Sequence, residues 1–279
     1  MIIIINNRIE AGGWRFMQSI KLPDYEAMFS VTESRVAKPL LDFELACLAS
    51  AAGAEEFVEV YGPLIKAQSP DVCATYFASW IGRLCAAVAY AMWHDRLDLQ
   101  LMPEGVFIQM EESPRGAAIS FRLACLEPVP LPVEPDAEKE RILEGLASFF
   151  GQTIRPVVEA VSAAGGVSPG AVWALMGSGL HYMLDKWRSE ETDMEMKARL
   201  EAVADILLQR LPPEAFGRPG NPFQLKFRLT QNLKKDGQVR LKPSCCLAYK
   251  TNTGHGYCFT CPKLSEEERE ARRGAAALA

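Results

Sequence analysis

Histidines are scarce in this sequence, and the common cofactor and hydrolase motifs are missing from it. Only 3 of its 279 residues are His. It has no G-x-G-x-x-G after a predicted strand, no G-x-x-x-x-G-K-[ST] and no H-E-x-x-H, and Gly177-Ser178-Gly179 is not a G-x-S-x-G turn. These absences argue against a Rossmann dinucleotide site, a P-loop, a zinc protease and a serine hydrolase of the usual kinds.

From the sequence we expect no secretory signal, and we find no uninterrupted apolar run of membrane length. Residues 74–93 are the most apolar stretch, but Arg83 interrupts them. We read this stretch as a buried helix and expect no stable membrane span. The expected location is the cytoplasm, and the alternative is a peripheral position at the inner membrane. Disulfides are disfavoured there, so clustered cysteines indicate metal ligands.

Composition is that of an ordinary globular protein, but charge is unevenly placed. Hydrophobic residues make up 49% and charged residues 23% of the chain, whose net charge is −5. From Arg210 to Lys263 there are ten Lys and Arg against two acids, a balance of +8 that leaves −13 elsewhere. Two interpretations stay open: a solvated basic face, or a field that favours an anionic cluster and ligand. Without a binding motif in an acidic protein, we expect no nucleic-acid partner.

Periodicity predicts a mostly α fold with a small antiparallel β meander, in the α+β class. We expect a helical body over residues 1–211, a cysteine-rich segment over 212–264 and a tail over 265–279. The predicted helices span residues 41–52, 54–66, 70–94, 137–164 with a bend near Pro156, 168–187 and 191–211. The predicted strands are the meander at 97–101, 106–110 and 118–123, and short strands at 223–230 and 238–241.

Four cysteines at the end of the chain carry the chemistry. Cys245 and Cys246 are adjacent, and after eleven intervening residues Cys258 and Cys261 form a C-x-x-C pair. A Cys₄ set suits zinc or an iron–sulfur cluster. Adjacent side chains in an extended chain point to opposite sides, so both sulfurs converge only where the backbone turns sharply. Zinc prefers two C-x₂₋₄-C pairs. The remaining cysteines, which we interpret as buried structural thiols, are Cys47, Cys73, Cys85 and Cys125.

This pattern resembles the C-terminal signature of the ferric-siderophore reductase (FhuF-like) family. That signature is an adjacent Cys pair, about ten residues, then C-x-x-C. The short flanking segments are similar as well. They are Gly220-Asn221-Pro222-Phe223 upstream, Lys242-Pro243-Ser244 before the adjacent pair, and Cys261-Pro262-Lys263-Leu264 at the end of the motif. The chain departs from the family in having one residue more between the two pairs. The specific likeness covers residues 218–264.

The resemblance implies a [2Fe–2S] cluster held by Cys245, Cys246, Cys258 and Cys261. It implies one-electron reduction of a ferric siderophore in the cytoplasm, releasing ferrous iron, with no catalytic residue beyond the cluster. The electron would come from a donor such as a ferredoxin or another reductase. Residues that could contact the siderophore are Arg218, Lys226, Arg228, Tyr249 and Lys250. Residues that could tune the cluster are Arg240, Lys242 and His255.

Several alternatives stay open at this point. A structural Cys₄ zinc site on a non-catalytic, siderophore-binding or siderophore-biosynthesis-related helical protein is the second reading. His255 could hydrogen-bond a sulfur or replace a ligand. Tyr249 and Tyr257 could shield the cluster from water or contact the chelate, and the four basic residues Arg210, Arg218, Lys226 and Arg228 could be solvated charges. We expect His181 to be a satisfied core histidine.

Overall fold

The fold class predicted from the sequence is confirmed. The computed structural model describes residues 22–113, 116–234 and 236–277. It is 55% helical with 13% strand in small sheets, which is a mostly α, α+β fold.

The helices and strands follow one another along the chain, with the helices predominating. The helices are α1 (Leu22–Phe29), α2 (Leu45–Leu48), α3 (Ala51–Leu64), α4 (Pro70–Tyr90), α5 (Pro135–Ser148), α6 (Arg155–Ala164), α7 (Pro169–Glu190), α8 (Met194–Asp205) and α9 (Glu266–Ala277). The strands are β1 (Val31–Thr32), β2 (Leu41–Glu44), β3 (Leu97–Asp98), β4 (Val106–Ser113), β5 (Gly116–Leu123), β6 (Val129–Pro130), β7 (Leu229–Gln231) and β8 (Gln238–Arg240).

Helix α4 runs through the middle of the core, as its nearly continuous apolar surface predicts. It begins with Pro70 at its first position and continues through a π-helical turn over Ala91–Asp95. Among the described residues, Pro70–Asp95 is the one helix long and apolar enough to cross a membrane, and 78% of its most apolar window is buried inside the protein. A core helix passes that test as readily as a membrane span.

The main sheet differs from the predicted meander. Its strand order is β1-β5-β4-β2, and the β4–β5 hairpin within it was predicted. The prediction of helix over 41–44 is wrong, because these residues form β2 and pair antiparallel with β4. The prediction that 97–101 joins the meander is also wrong, because β3 pairs with β6 in a separate sheet. The turn residues 114–115 lie outside the described part of the chain.

Local sequence signals predicted the later helices to within a few residues. Ser168 caps α7 by accepting a hydrogen bond from Gly170 N, with Pro169 at the first helical position. Residues 137–164 divide into α5 and α6 around a π-helical turn at Phe149–Ile154, just before Pro156, where the bend was predicted. Helix α8 begins three residues later than predicted, because Asp193 accepts from Glu195 N and Met196 N as its N-cap.

The chain enters the cysteine segment through a buried anchor. Phe223 is fully buried and lies with its ring centroid 5.2 Å from that of Phe150 and 5.1 Å from that of Phe216. Asn221 fixes the approach, since its Nδ2 donates to the Leu207 carbonyl (2.8 Å) and its Oδ1 accepts from Phe223 N (2.9 Å). The predicted strand over 223–230 is only partly correct, because β7 begins at Leu229.

Candidate metal centre and adjacent groove

The adjacent cysteines lie at a sharp backbone turn. Leu247, directly after them, has φ of 56°, in the left-handed region that non-glycine residues rarely adopt. Its backbone N–H hydrogen-bonds Cys245. On the other side, the Thr75 hydroxyl of α4 lies 3.0 Å from the Cys246 carbonyl oxygen. The turn that the adjacent pair requires is therefore present and is attached to the central helix.

The cysteine segment is also tied to the start of α4 and to the loop before it. Lys250 Nζ donates to Asp71 Oδ2 at 2.7 Å. Backbone hydrogen bonds join Gln68 N to the Lys250 carbonyl (3.1 Å) and Asn252 N to the Lys66 carbonyl (2.8 Å). These links fix residues 250–252 on the helical body.

Two of the four sulfurs lie in contact across the sequence order, and a third lies beside Lys242. Cys245 Sγ lies 3.5 Å from Cys261 Sγ. Lys242 Nζ lies 3.8 Å from Cys246 Sγ. The sulfurs of Cys246 and Cys258 both interact with this ammonium: burial alone would lower the pKa of Lys242, but the two sulfurs raise it above its ordinary value. Cys245 is thus associated with the second cysteine of the C-x-x-C pair, and Lys242 lies near the sulfurs of Cys246 and Cys258.

The chemistry of the four thiols suits a metal centre, and two of them lie at the distance expected of ligands to one metal. Two sulfurs on one tetrahedral metal with bonds of about 2.3 Å lie about 3.8 Å apart, close to the Cys245–Cys261 separation. Within the described ranges, no three His, Cys, Asp or Glu side chains converge on one point as a metal-ligand group. Burial raises the pKa of the Cys245 thiol to about 11, so a bound cation would be needed to hold it as thiolate at neutral pH.

Helix α9 holds the C-x-x-C loop in place through two arginines that the sequence reasoning missed. Arg269 is buried, and its Nη2 donates to the Cys261 carbonyl (2.6 Å) and its Nε to the Phe259 carbonyl (3.1 Å). Arg272 Nη1 donates to the Tyr257 carbonyl at 2.7 Å. Within the predicted tail over 265–279, residues Glu266–Ala277 therefore form a helix that contacts the C-x-x-C loop. Its charged sequence alone gave no signal for these contacts.

A groove of about 760 Å³ lies beside the cysteines. Helices α4 and α7 and the β7–β8 hairpin form its walls, and Lys242, Cys246 and Thr260 of the cysteine segment also line it. Ser79, Ser178 and Tyr182 contribute hydroxyls, while Leu175, Phe227 and Leu229 contribute apolar surface. Its volume and mixed lining are those of a small-molecule site.

Charge inside the groove is largely balanced. Arg240 forms a short hydrogen-bonded ion pair with Asp185 of α7, and its guanidinium lies over the Phe227 ring at 5.0 Å from the centroid. Among the described residues that line the groove, Lys242 is therefore the cation without a carboxylate partner.

The five residues predicted to contact the substrate lie outside the groove lining. Arg218 lies against Gly170 at the start of α7. Lys226 and Arg228 are exposed on the chain that leads into β7, whereas Phe227 between them faces the groove.

Tyr249 and Lys250 lie on other contacts of the cysteine segment. The Tyr249 and Tyr257 rings are 4.5 Å apart, and Lys263 Nζ donates to the Tyr249 hydroxyl at 3.2 Å. Lys250 is the residue paired with Asp71. The structure thus brings Arg240 and Lys242, from the predicted tuning residues, to the groove.

The two histidines of interest play different parts. His255 is exposed and lines a smaller cavity of about 330 Å³ with Tyr76 and Trp80. His181 is half-buried, and its Nε2 lies 2.9 Å from the Phe223 carbonyl. Because a carbonyl only accepts, Nε2 carries the proton and donates. Burial lowers the pKa of His181 below its ordinary value, as expected for a neutral core histidine.

Comparisons with known proteins leave the family open. No protein-family model matches this chain, and no curated protein matches its sequence. The features that bear on function are therefore the cysteines, the groove and the residues between them.

Proposed function

We propose that this protein is an iron–sulfur oxidoreductase that reduces a ferric siderophore by one electron. The observation that carries the proposal is the position of Cys246, which lines a groove of small-molecule size. A cluster ligand in the wall of a binding groove allows a chelate to lie within electron-transfer distance of the cluster. A purely structural metal site needs no such groove.

Four thiolates suit a [2Fe–2S] cluster, which supplies the one-electron chemistry when bound. In the reaction one electron passes to Fe(III), giving Fe(II), and no covalent bond forms or breaks. Oxygen donors hold ferrous iron more weakly than ferric iron, so reduction releases it. A one-electron donor protein, such as a ferredoxin, would restore the reduced state.

The chain's own residues bind and position the chelate. The hydroxyls of Ser79, Ser178 and Tyr182 are suited to the polar atoms of the chelate, and Phe227 and Leu229 to its apolar parts. Tyr182 is 69% exposed, so it can contact a ligand without rearrangement of the core. No residue here needs to move a proton.

Anaerobic mixing of the reduced holoprotein with a ferric hydroxamate, in the presence of a ferrous chelator, tests the proposal. We expect the visible absorption of the cluster to return as one Fe(II) per cluster is trapped. Ferric catecholate and ferric citrate are run beside it to compare chelate classes. Failure of every chelate to oxidise the reduced protein would overturn the proposal.

A glycine in the groove provides a sharper variant. A side chain added at Gly179 of α7 enters open space, as does one added at Gly274 of α9, outside the groove. Gly179→Trp should fill the groove and slow chelate reduction by roughly tenfold or more, since a loss of 1.4 kcal/mol in binding is tenfold. Gly274→Trp is the matched control and should react at the original rate. Equal rates for the two variants would show that the chelate does not need the groove in order to be reduced.

A further inference from the structure

The pairing of the sulfurs extends the proposed function to the two irons separately. Cys245 and Cys261 are in contact at 3.5 Å, and Cys261 is only 2% exposed. Cys246 and Cys258 share the Lys242 ammonium, and Cys246 and Lys242 line the groove. Cys261 is therefore buried beneath α9, whereas Cys246 lines the groove and Cys245 and Cys258 are half-buried.

We propose that the cluster would be cross-ligated, with Cys245 and Cys261 on one iron and Cys246 and Cys258 on the other, and that Lys242 would hold the transferable electron on the iron bound by Cys246. The inference rests on the proposed [2Fe–2S] cluster. It makes Lys242 a positioning residue, which acts on the cluster through charge rather than by contact with Fe(III).

The other positively charged side chains near the cysteines should have a weaker effect on which iron carries the added electron. Arg269 is close to Cys261, but Glu266 Oε2 lies 3.2 Å from its Nη1 and offsets its charge. Lys263 is close to Cys245 but exposed, so solvent and salt screen its charge. Lys242 is half-buried and, within the described ranges, has no carboxylate partner. Screening is weaker for such a group, so its charge favours the extra electron on the nearer iron.

The ligand pairing is tested with four single variants: Cys245→Ser, Cys246→Ser, Cys258→Ser and Cys261→Ser. Each is assembled anaerobically, and its iron content, midpoint potential and reduced-state electron paramagnetic resonance spectrum are measured. Cross-ligation predicts that the 245 and 261 variants resemble each other and that the 246 and 258 variants resemble each other. Resemblance between sequence neighbours, 245 with 246 and 258 with 261, would overturn it.

The Lys242 assignment is tested with all four thiols intact, so it does not depend on whether a serine variant holds its cluster. Lys242→Met should lower the midpoint potential and change the signal of the reduced cluster, and Lys242→Arg should restore both. Lys263→Met removes one charge near Cys245 and is the matched control, with a smaller shift expected. A shift for Lys263→Met equal to or greater than that for Lys242→Met would contradict the assignment.

These outcomes are distinct from failure of the proposed function. Purified protein that contains no iron and no sulfide would contradict both proposals. If the protein holds a [2Fe–2S] cluster and reduces ferric chelate, but the variants of neighbouring cysteines resemble each other, only the proposed ligand pairing is contradicted.

Discussion

The helical body and the cysteine segment are stabilised in different ways. In the body, α4 and its neighbours bury large aromatic side chains, and Phe57, Tyr61 and Phe77 pack with centroids 4.7–6.1 Å apart. The segment over residues 221–264 has two short strands and few buried side chains, and it is attached by hydrogen bonds and ion pairs. Hydrophobic burial is sufficient to stabilise the helical body. The cysteine segment depends instead on its hydrogen bonds and ion pairs to the body, and on the metal that its cysteines are expected to bind.

The largest expected contrast follows from removing one thiolate. Cys258→Ser should sharply reduce the content and lifetime of the cluster, leaving a labile serine-ligated form, while the helical body stays folded, because the sulfur contributes to the segment and not to the core. Iron content and far-ultraviolet circular dichroism measure the two effects. The prediction that Cys47 and Cys125 are buried is wrong, because both are exposed, whereas Cys73 and Cys85 are buried as predicted. Cys125→Ser is therefore the matched control and should retain the cluster. Loss of helical signal in Cys258→Ser would show that the two regions are not separable.

The anchor between the regions should show the next largest effect. Phe223→Ala removes a fully buried ring that packs on Phe150, Trp173 and Phe216. We expect a loss of about 3–5 kcal/mol in the free energy of unfolding, typical of buried aromatic truncations. Denaturant titration measures it. Phe223→Leu should cost less, and a loss below about 1 kcal/mol for Phe223→Ala would contradict the role of anchor.

Arg269 of α9 should have an intermediate effect confined to the segment. Arg269→Met keeps the aliphatic part of the side chain but leaves the Cys261 and Phe259 carbonyls without this donor. Leaving buried acceptors unpaired costs about 1–3 kcal/mol. Faster loss of the cluster to a chelator and faster hydrogen exchange over 257–264 are expected. Arg272→Met, which loses one exposed contact, is the comparison, and equal effects would contradict the special position of Arg269.

The Asp71–Lys250 pair should have the smallest effect, and one that depends on pH. Burial alone would raise the pKa of Asp71, but hydrogen bonds from Lys250 and Ser69 lower it overall from 3.8. Its stabilisation is present above the unfolded-state pKa and is lost as pH falls through the lower folded-state pKa. Asp71→Asn should therefore melt slightly below the original protein at pH 7, and the difference should shrink only as the pH falls below 3.8 and through the lower folded-state pKa. A difference that persists in acid would point to another cause.

The sequence predicted the body better than the site, for physical reasons. The starts of α4 and α7 were predictable because proline at the first helical position is a local signal. Strand β2 was not, because a four-residue strand is stabilised by a partner far along the chain, here β4. The cysteine spacing indicated a metal site with a sharp turn, which Leu247 provides. The Cys245–Cys261 contact, the groove and the contacts of Arg269 depend on how distant elements pack, which the spacing does not specify.

Iron and acid-labile sulfide content of protein purified without oxygen tests the central claim most directly. We expect a reddish-brown protein with about two irons and two sulfides per chain, as four thiolates around a [2Fe–2S] cluster require. Colourless protein with one zinc and no sulfide per chain would contradict the account.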